Sequence, residues 1–355
     1  MISIETNTLE QEIAKVRNSL SADRLDMSFG ELMSMYTSSE LIIDPEFQRL
    51  FRWKIEQQTR FIESLLLGIP IPSVFVAENE EGKWEIVDGL QRLSTIFSFF
   101  GILKNYDQKN NWVMVEGGKV KSLKGLTLEN LPLKFRLNIK RSVCRVEIVK
   151  WDSDYDMRYE LFNRLNTGGS PLTDQEIRNC IFRGISKDFT ELLKQLAEQE
   201  DFRELIQPTQ RQEEELYLHE LVLRFFSLFN NHHNVSDRLS EHMTQYMKSA
   251  SQHQDDYVPK IEIFKRSICL VAQIGSELFK AKNNQFSSSL YDGILNGVAA
   301  NLEYYESHGI SELASRIEEL KSDEKFKGFS GVAANYKKRT KGRIERALEV
   351  FAIHE

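Results

Sequence analysis

The stretch Trp84-Glu85-Ile86-Val87-Asp88-Gly89-Leu90-Gln91-Arg92-Leu93-Ser94-Thr95-Ile96-Phe97 decides the fold. Its first half alternates around Trp84, Ile86 and Val87 and reads as a half-buried β-strand. From Leu90 the period changes: Leu90, Leu93, Phe97 and Phe100 recur at helical spacing and make one apolar stripe. Asp88-Gly89 marks the switch. Gly permits a sharp turn, and Asp is a good N-cap for the helix that follows. A strand, a tight turn and a helix start together make an anion site, because first-turn amides have no intrahelical acceptor. Arg92 runs against this pattern, placing a cation at the positive end of the helix dipole. Asp88, four residues earlier, offsets that cost if the two pair. The pattern fits either a stabilising Asp–Arg pair or a turn whose Gln91 and Arg92 face a phosphate.

Working upstream, Ser28 and Glu31 form a capping box that opens a short helix through Met35. The apolar strand Leu41-Ile42-Ile43-Asp44 ends at Pro45, and Pro45-Glu46-Phe47-Gln48-Arg49-Leu50-Phe51-Arg52-Trp53 follows. A helix spans Lys54 to Leu67 and is closed by Gly68. Strands Ser73–Ala77 and Lys83–Val87 flank a hairpin at Asn79–Gly82. The order strand, helix, strand, hairpin, strand, turn, helix predicts a compact α+β unit with a small mixed sheet.

Downstream, Asp107 to Gly118 reads as a surface excursion, and Val143 to Val149 returns as a strand. Lys134, Arg136, Lys140, Arg141 and Arg145 make a basic stretch beside that strand. A helix from Asp154 to Leu165 runs into Asn166-Thr167-Gly168-Gly169, and Thr173 with Glu176 caps the next helix. Beyond Ile181 the chain reads as helical. Lys327, Lys337, Lys338, Arg339, Lys341 and Arg343 concentrate positive charge near the end, where Ile344, Leu348 and Phe351 give the last helix an apolar face. The division expected is a helical arm over 1–25, an α+β domain over 26–180 and a helical domain over 181–355.

The 355 residues allow two or three packed units. No apolar run reaches membrane-span length and the polar N-terminus lacks a signal-peptide pattern, so a cytoplasmic protein is expected. A net charge of −7 argues against a wholly basic nucleic-acid surface and confines any DNA contact to a local basic face. Cys144, Cys180 and Cys269 lack ligand spacing and read as buried thiols. Neither a P-loop nor a Gly-x-Gly-x-x-Gly strand–helix turn is present, which excludes those nucleotide-binding classes.

Asp88-Gly89-Leu90-Gln91-Arg92 resembles the Asp-Gly-Gln-Gln-Arg signature of the N-terminal domain of GmrSD-type restriction endonucleases, of the ParB/sulfiredoxin-like superfamily. Leu90 stands where the family usually has Gln. Gln48-Arg49 with Trp53 resembles a second signature of that family. Asn166, Gly169, Leu172, Glu176 and Asn179 resemble a third. No C-terminal His-Asn-His nuclease arrangement is visible, and no Cys sits at the turn as sulfiredoxin chemistry requires.

The resemblance implies a ParB-like sheet followed by an all-α region, and nucleotide binding and hydrolysis coupled to DNA restriction in phage defence. Asp88, Gln91 and Arg92 are then the catalytic candidates, and Gln48, Arg49, Arg52 and Asn166 the phosphate-binding ones. Arg suits bidentate phosphate capture, Gln could orient a water, and Asp88 is a candidate Mg²⁺ ligand or proton acceptor. Lys337, Lys338 and Arg339 are the DNA-binding candidates. The implied partners are a nucleoside triphosphate with Mg²⁺, DNA, and a separate nuclease or effector. A non-catalytic nucleotide- or DNA-binding protein and a ParB-like nuclease remain alternatives; Leu90 favours binding over hydrolysis.

Overall fold

The computed structural model describes residues 9–14, 21–43, 53–150, 153, 155–165, 172–182, 186–281, 283–331 and 333–353. The chain packs as two units, Met1–Pro171 and Leu172–Glu355. In the first, strands β1 (Ala22–Ser28), β2 (Leu41–Ile42), β3 (Val74–Glu78), β4 (Trp84–Asp88) and β5 (Val143–Val149) form one sheet in the order β1-β5-β3-β4-β2. Pairings β1·β5 and β3·β4 are antiparallel, while β3·β5 and β4·β2 are parallel, so the sheet is mixed as expected.

Helix α1 (Phe29–Thr37) starts on the expected capping box: the Glu31 amide donates to Ser28 Oγ and the Ser28 amide to Glu31 Oε2. The unit also holds helices α2 (Ile55–Leu66), α3 (Leu90–Phe99), α4 (Leu133–Arg141) and α5 (Tyr155–Leu165), and residues 9–14 are helical. Leu93, Ile96 and Phe97 of α3 are fully buried, and Tyr36 stacks on Phe97 with centroids 4.5 Å apart. Val74, Val76, Ile86, Cys144 and Val146 share that core, so the sheet and α3 bury one another.

Three expectations are corrected. Strand β1 was not foreseen; Ala22 to Asp26 are exposed, and an edge strand with so little burial carries no alternating apolar signal. The excursion over Asp107 to Gly118 supplies core as well as surface: Met114 within it is buried, as are Leu123 and Leu131 just beyond it. Glu63 of α2 pins it by accepting from the amides of Gly118 (3.0 Å), Lys119 (2.8 Å) and Val120 (2.6 Å). Burial pushes that carboxyl up, but the three amides outweigh it and hold its pKa below the usual range. Finally, of the three Cys only Cys144 is buried; Cys269 is exposed.

After β5 the described residues hold helices and two isolated bridges, so the C-terminal region is helical as expected. The second unit includes α6 (Asp174–Phe182), α7 (Tyr217–Leu228), α8 (Leu239–Gln252), α9 (Val258–Ala272), α10 (Ser288–Ala300) and α11 (Lys337–Val350). Phe225, Phe226, Phe264, Tyr291, Ile294 and Ile344 are among its buried core residues. Among the described residues no helix is long and apolar enough to cross a membrane.

Candidate functional site

The strand-to-helix switch is made by Gly89, with φ of +97° at the N-cap of α3. A Cβ there would also lie 2.7 Å from Val74 Cγ2, so both conformation and space require glycine. This corrects the expected Asp88 cap: the cap residue is Gly89, and no side chain caps the helix. The Asp88 carboxylate, relieved of that task, pairs with Arg92, its Oδ2 accepting from an Arg92 terminal nitrogen at 2.7 Å.

Arg92 holds more than Asp88. Its other terminal nitrogen donates to the carbonyls of Pro72 (2.5 Å) and Ser73 (3.1 Å), which lead into β3. One guanidinium therefore straps the start of β3, the end of β4 and the first turn of α3. Only 11% of its side chain is exposed, whereas Asp88 is about half exposed. The cation expected to face a phosphate is thus already committed to three protein acceptors, and the outward group is the carboxylate. Burial pushes the Cys144 thiol up, against the pull of the Arg92 charge.

Gln91 joins two of the signature stretches. Its Oε1 accepts from the Trp53 amide at 3.1 Å across 38 positions of sequence. Gln58 Nε2 donates to the Trp53 carbonyl at 3.0 Å, and the Trp53 ring packs edge-on against Phe61. Gln58, which the sequence reading passed over, thus completes a clamp on Trp53. Its position one turn inside α2 was the available signal. Strand β2 runs parallel to β4, with Leu41 opposite Trp84 and Ile42 opposite Glu85. Gln48, Arg49 and Arg52 lie outside the described residues, as do Asn166 and Gly169 of the third signature.

Within the second unit, Glu176 makes the expected capping box with Thr173, accepting from its amide at 2.6 Å while its own amide donates to Thr173 Oγ1 at 3.3 Å. Asn179 Oδ1 accepts from Gln175 at 3.2 Å. At the N-terminus of α11, Lys337 and Lys338 are exposed, while Arg339 is half-buried and donates to the Ser330 carbonyl at 3.3 Å.

Arg343, counted by sequence with that basic surface, is fully buried. It donates to Asp292 Oδ2 at 2.6 Å, and Arg224 donates to both Asp292 oxygens at 3.0 and 2.6 Å. In α4, Lys134, Lys140 and Arg141 are exposed.

Among the described residues no group of three His, Cys, Asp or Glu could hold a metal ion. A cavity of about 180 Å³ lined by Tyr36, Ser39, Ile43, Lys104 and Tyr106 lies apart from the signature turn. Its Lys104 ammonium is occupied by the Tyr36 and Thr37 carbonyls and Ser39 Oγ.

Fold and turn together define an α+β domain with an Asp–Gly–x–Gln–Arg strand-to-helix turn at one end of a mixed sheet. Residues 29–183 match the family model described as GmrSD restriction endonuclease, N-terminal domain. The match points to a role in a restriction system. Neither a curated protein nor a solved structure matches the chain.

Proposed function

We propose that the chain is a nucleotide-binding, NTP-hydrolysing sensor or regulatory component of a DNA restriction system directed against phage. The family match supports the restriction context. The observation that carries the site reading is the Gln91–Trp53 hydrogen bond, which holds one residue of the second signature against one residue of the first. Gln91 sits in the first turn of α3, and a helix N-terminus favours phosphate. Arg92, strapped to Asp88 and the start of β3, sets the turn and supplies positive potential from a fixed position. Gln48, Arg49 and Arg52 are the proposed phosphate contacts, with Asn166 joining them from the third signature.

Asp88, half exposed, fits the one carboxylate that a nucleotide-borne Mg²⁺ commonly takes from a protein. Such an ion would offset phosphate charge, while Asp88 and Gln91 hold the turn around it. DNA contact is assigned to Lys337, Lys338 and Arg339, and DNA cleavage to a separate nuclease. The test is phosphate release from each nucleoside triphosphate by the purified chain, with and without DNA. Release that depends on Asp88 supports the hydrolase; saturable binding without release reduces the reading to a nucleotide-binding regulator.

A further inference from the structure

Strand β1 is the outer strand of the sheet, and among the described residues no strand flanks its far side. The ladder to β5 is bounded by the Lys150 amide donating to the Ser21 carbonyl (2.9 Å) and the Phe29 amide donating to the Ser142 carbonyl (3.1 Å). Alternation in an antiparallel ladder then turns the odd-numbered residues of β1 toward β5. The backbone groups of Ala22, Arg24, Asp26 and Ser28 face outward. Two side chains confirm this parity: the Arg24 amide is taken by Asp23 Oδ1 at 2.8 Å and the Ser28 amide by Glu31 Oε2 at 2.7 Å. Leu25, between the two outward charged residues, is 43% exposed.

We infer that β1 pairs antiparallel with β1 of a second copy of this chain, about a two-fold axis through Leu25. In that register every outward residue has an outward partner. Ala22 faces Ser28 of the second copy, Arg24 faces Asp26, and Leu25 meets its own equivalent. Arg24 already pairs with Glu147 at 2.7 Å, and Asp26 with Arg145 at 3.0 Å. Across the axis the row becomes Glu147, Arg24, then Asp26 and Arg145 of the second copy, with the sign alternating at each step. Sliding the register by two residues either way sets Arg24 on Arg24 or Asp26 on Asp26, which like-charge repulsion disfavours. The sequence of β1 is therefore complementary to itself in one register. The Asp23 carboxylate swings off the Arg24 amide to admit the partner carbonyl, while the Ser28 amide stays with Glu31, so the backbone bonds of the new ladder centre on the two Arg24–Asp26 pairs.

The test is the mass of the full chain in solution, by sedimentation at about 10–100 μM. Twice the 41.4 kDa chain mass is expected. R24D sets two carboxylates against each other and D26R two guanidinium groups, so each alone loses self-association by about tenfold or more. An equimolar mixture of R24D and D26R regains complementarity and forms the two-chain species. In a C269S background, L25C forms an intermolecular disulfide on oxidation, because facing Cβ atoms at the axis are about 5 Å apart. M27C does not, because its equivalents lie four residues out of register, about 13 Å apart.

A wild-type mass of one chain would show an edge held closed by Asp23 and overturn the inference. Failure of the mixture to associate while wild type does would overturn the register. If either charge variant unfolds, the L25C and M27C pair decides alone, and crosslinking of both or of neither contradicts the two-fold axis.

Discussion

Replacing Gly89 with Ala would bring a methyl group to 2.7 Å from Val74 Cγ2 while the backbone holds φ near +97°. Left-handed backbone and overpacking together cost about 2–4 kcal/mol, so G89A should lower the unfolding midpoint in urea markedly. An unchanged midpoint would show that the turn relaxes freely. Arg92→Ala removes the strap on Pro72, Ser73 and Asp88, and loss of charge-assisted bonds of this kind costs about 1.5–3 kcal/mol. R92K should recover little of it, since an ammonium cannot reproduce the fork that reaches three acceptors.

At this scale the sequence was informative about chemistry and less so about direction. The i,i+4 spacing made the Asp88–Arg92 pair legible. It gave no sign that carbonyls before β3 would claim the rest of the guanidinium, because that contact spans 20 positions. The local pattern allows Gln91 to face a phosphate, and its hold on Trp53 depends on a long-range packing that no local pattern encodes.

Among elements, those with period or punctuation were legible. The capping boxes of α1 and α6 appear where Ser28–Glu31 and Thr173–Glu176 place them. The Asn79–Gly82 hairpin is built by Asn79 Oδ1 accepting from the Glu81 and Lys83 amides. Strand β1 lay hidden because partnership rather than burial defines it. The excursion after α3 lay hidden because its core residues are scattered among Gly and Lys, without a period.

Helix α11 carries the DNA expectation. Replacing Lys337, Lys338 and Arg339 with Ala should flatten the dependence of log affinity on log salt by up to about three. An unchanged slope would make them a solvated helix start and turn attention to Lys134, Lys140 and Arg141 of α4. Arg343, buried against Asp292, belongs to neither surface.

For the molecule as a whole, that buried cluster sets the acid limit of the second unit. Burial raises the Asp292 pKa, but Arg224 and Arg343 overcome it and hold the carboxyl below its ordinary 3.8. A depressed carboxyl contributes stability that is complete above the unfolded value and is lost as pH falls through the folded one. The melting temperature should therefore hold above about pH 5 and drop below pH 4. D292N takes the carboxylate from buried Arg343 and leaves Arg224 only Glu220 at 3.9 Å, at a cost of about 3–5 kcal/mol at neutral pH, and loses Asp292's share of the acid dependence. A D292N protein as stable as wild type would mean that the cluster is wetter than its full burial indicates.

The central claim is that the Asp88–Arg92 turn binds a nucleotide, and calorimetric titration of the full chain with the four ribonucleoside triphosphates and Mg²⁺ tests it most directly. Saturable binding of at least one triphosphate is predicted, with affinity at least about tenfold weaker in an R92A protein that still melts cooperatively. No binding of any triphosphate by wild type, or equal affinity in R92A, would contradict it.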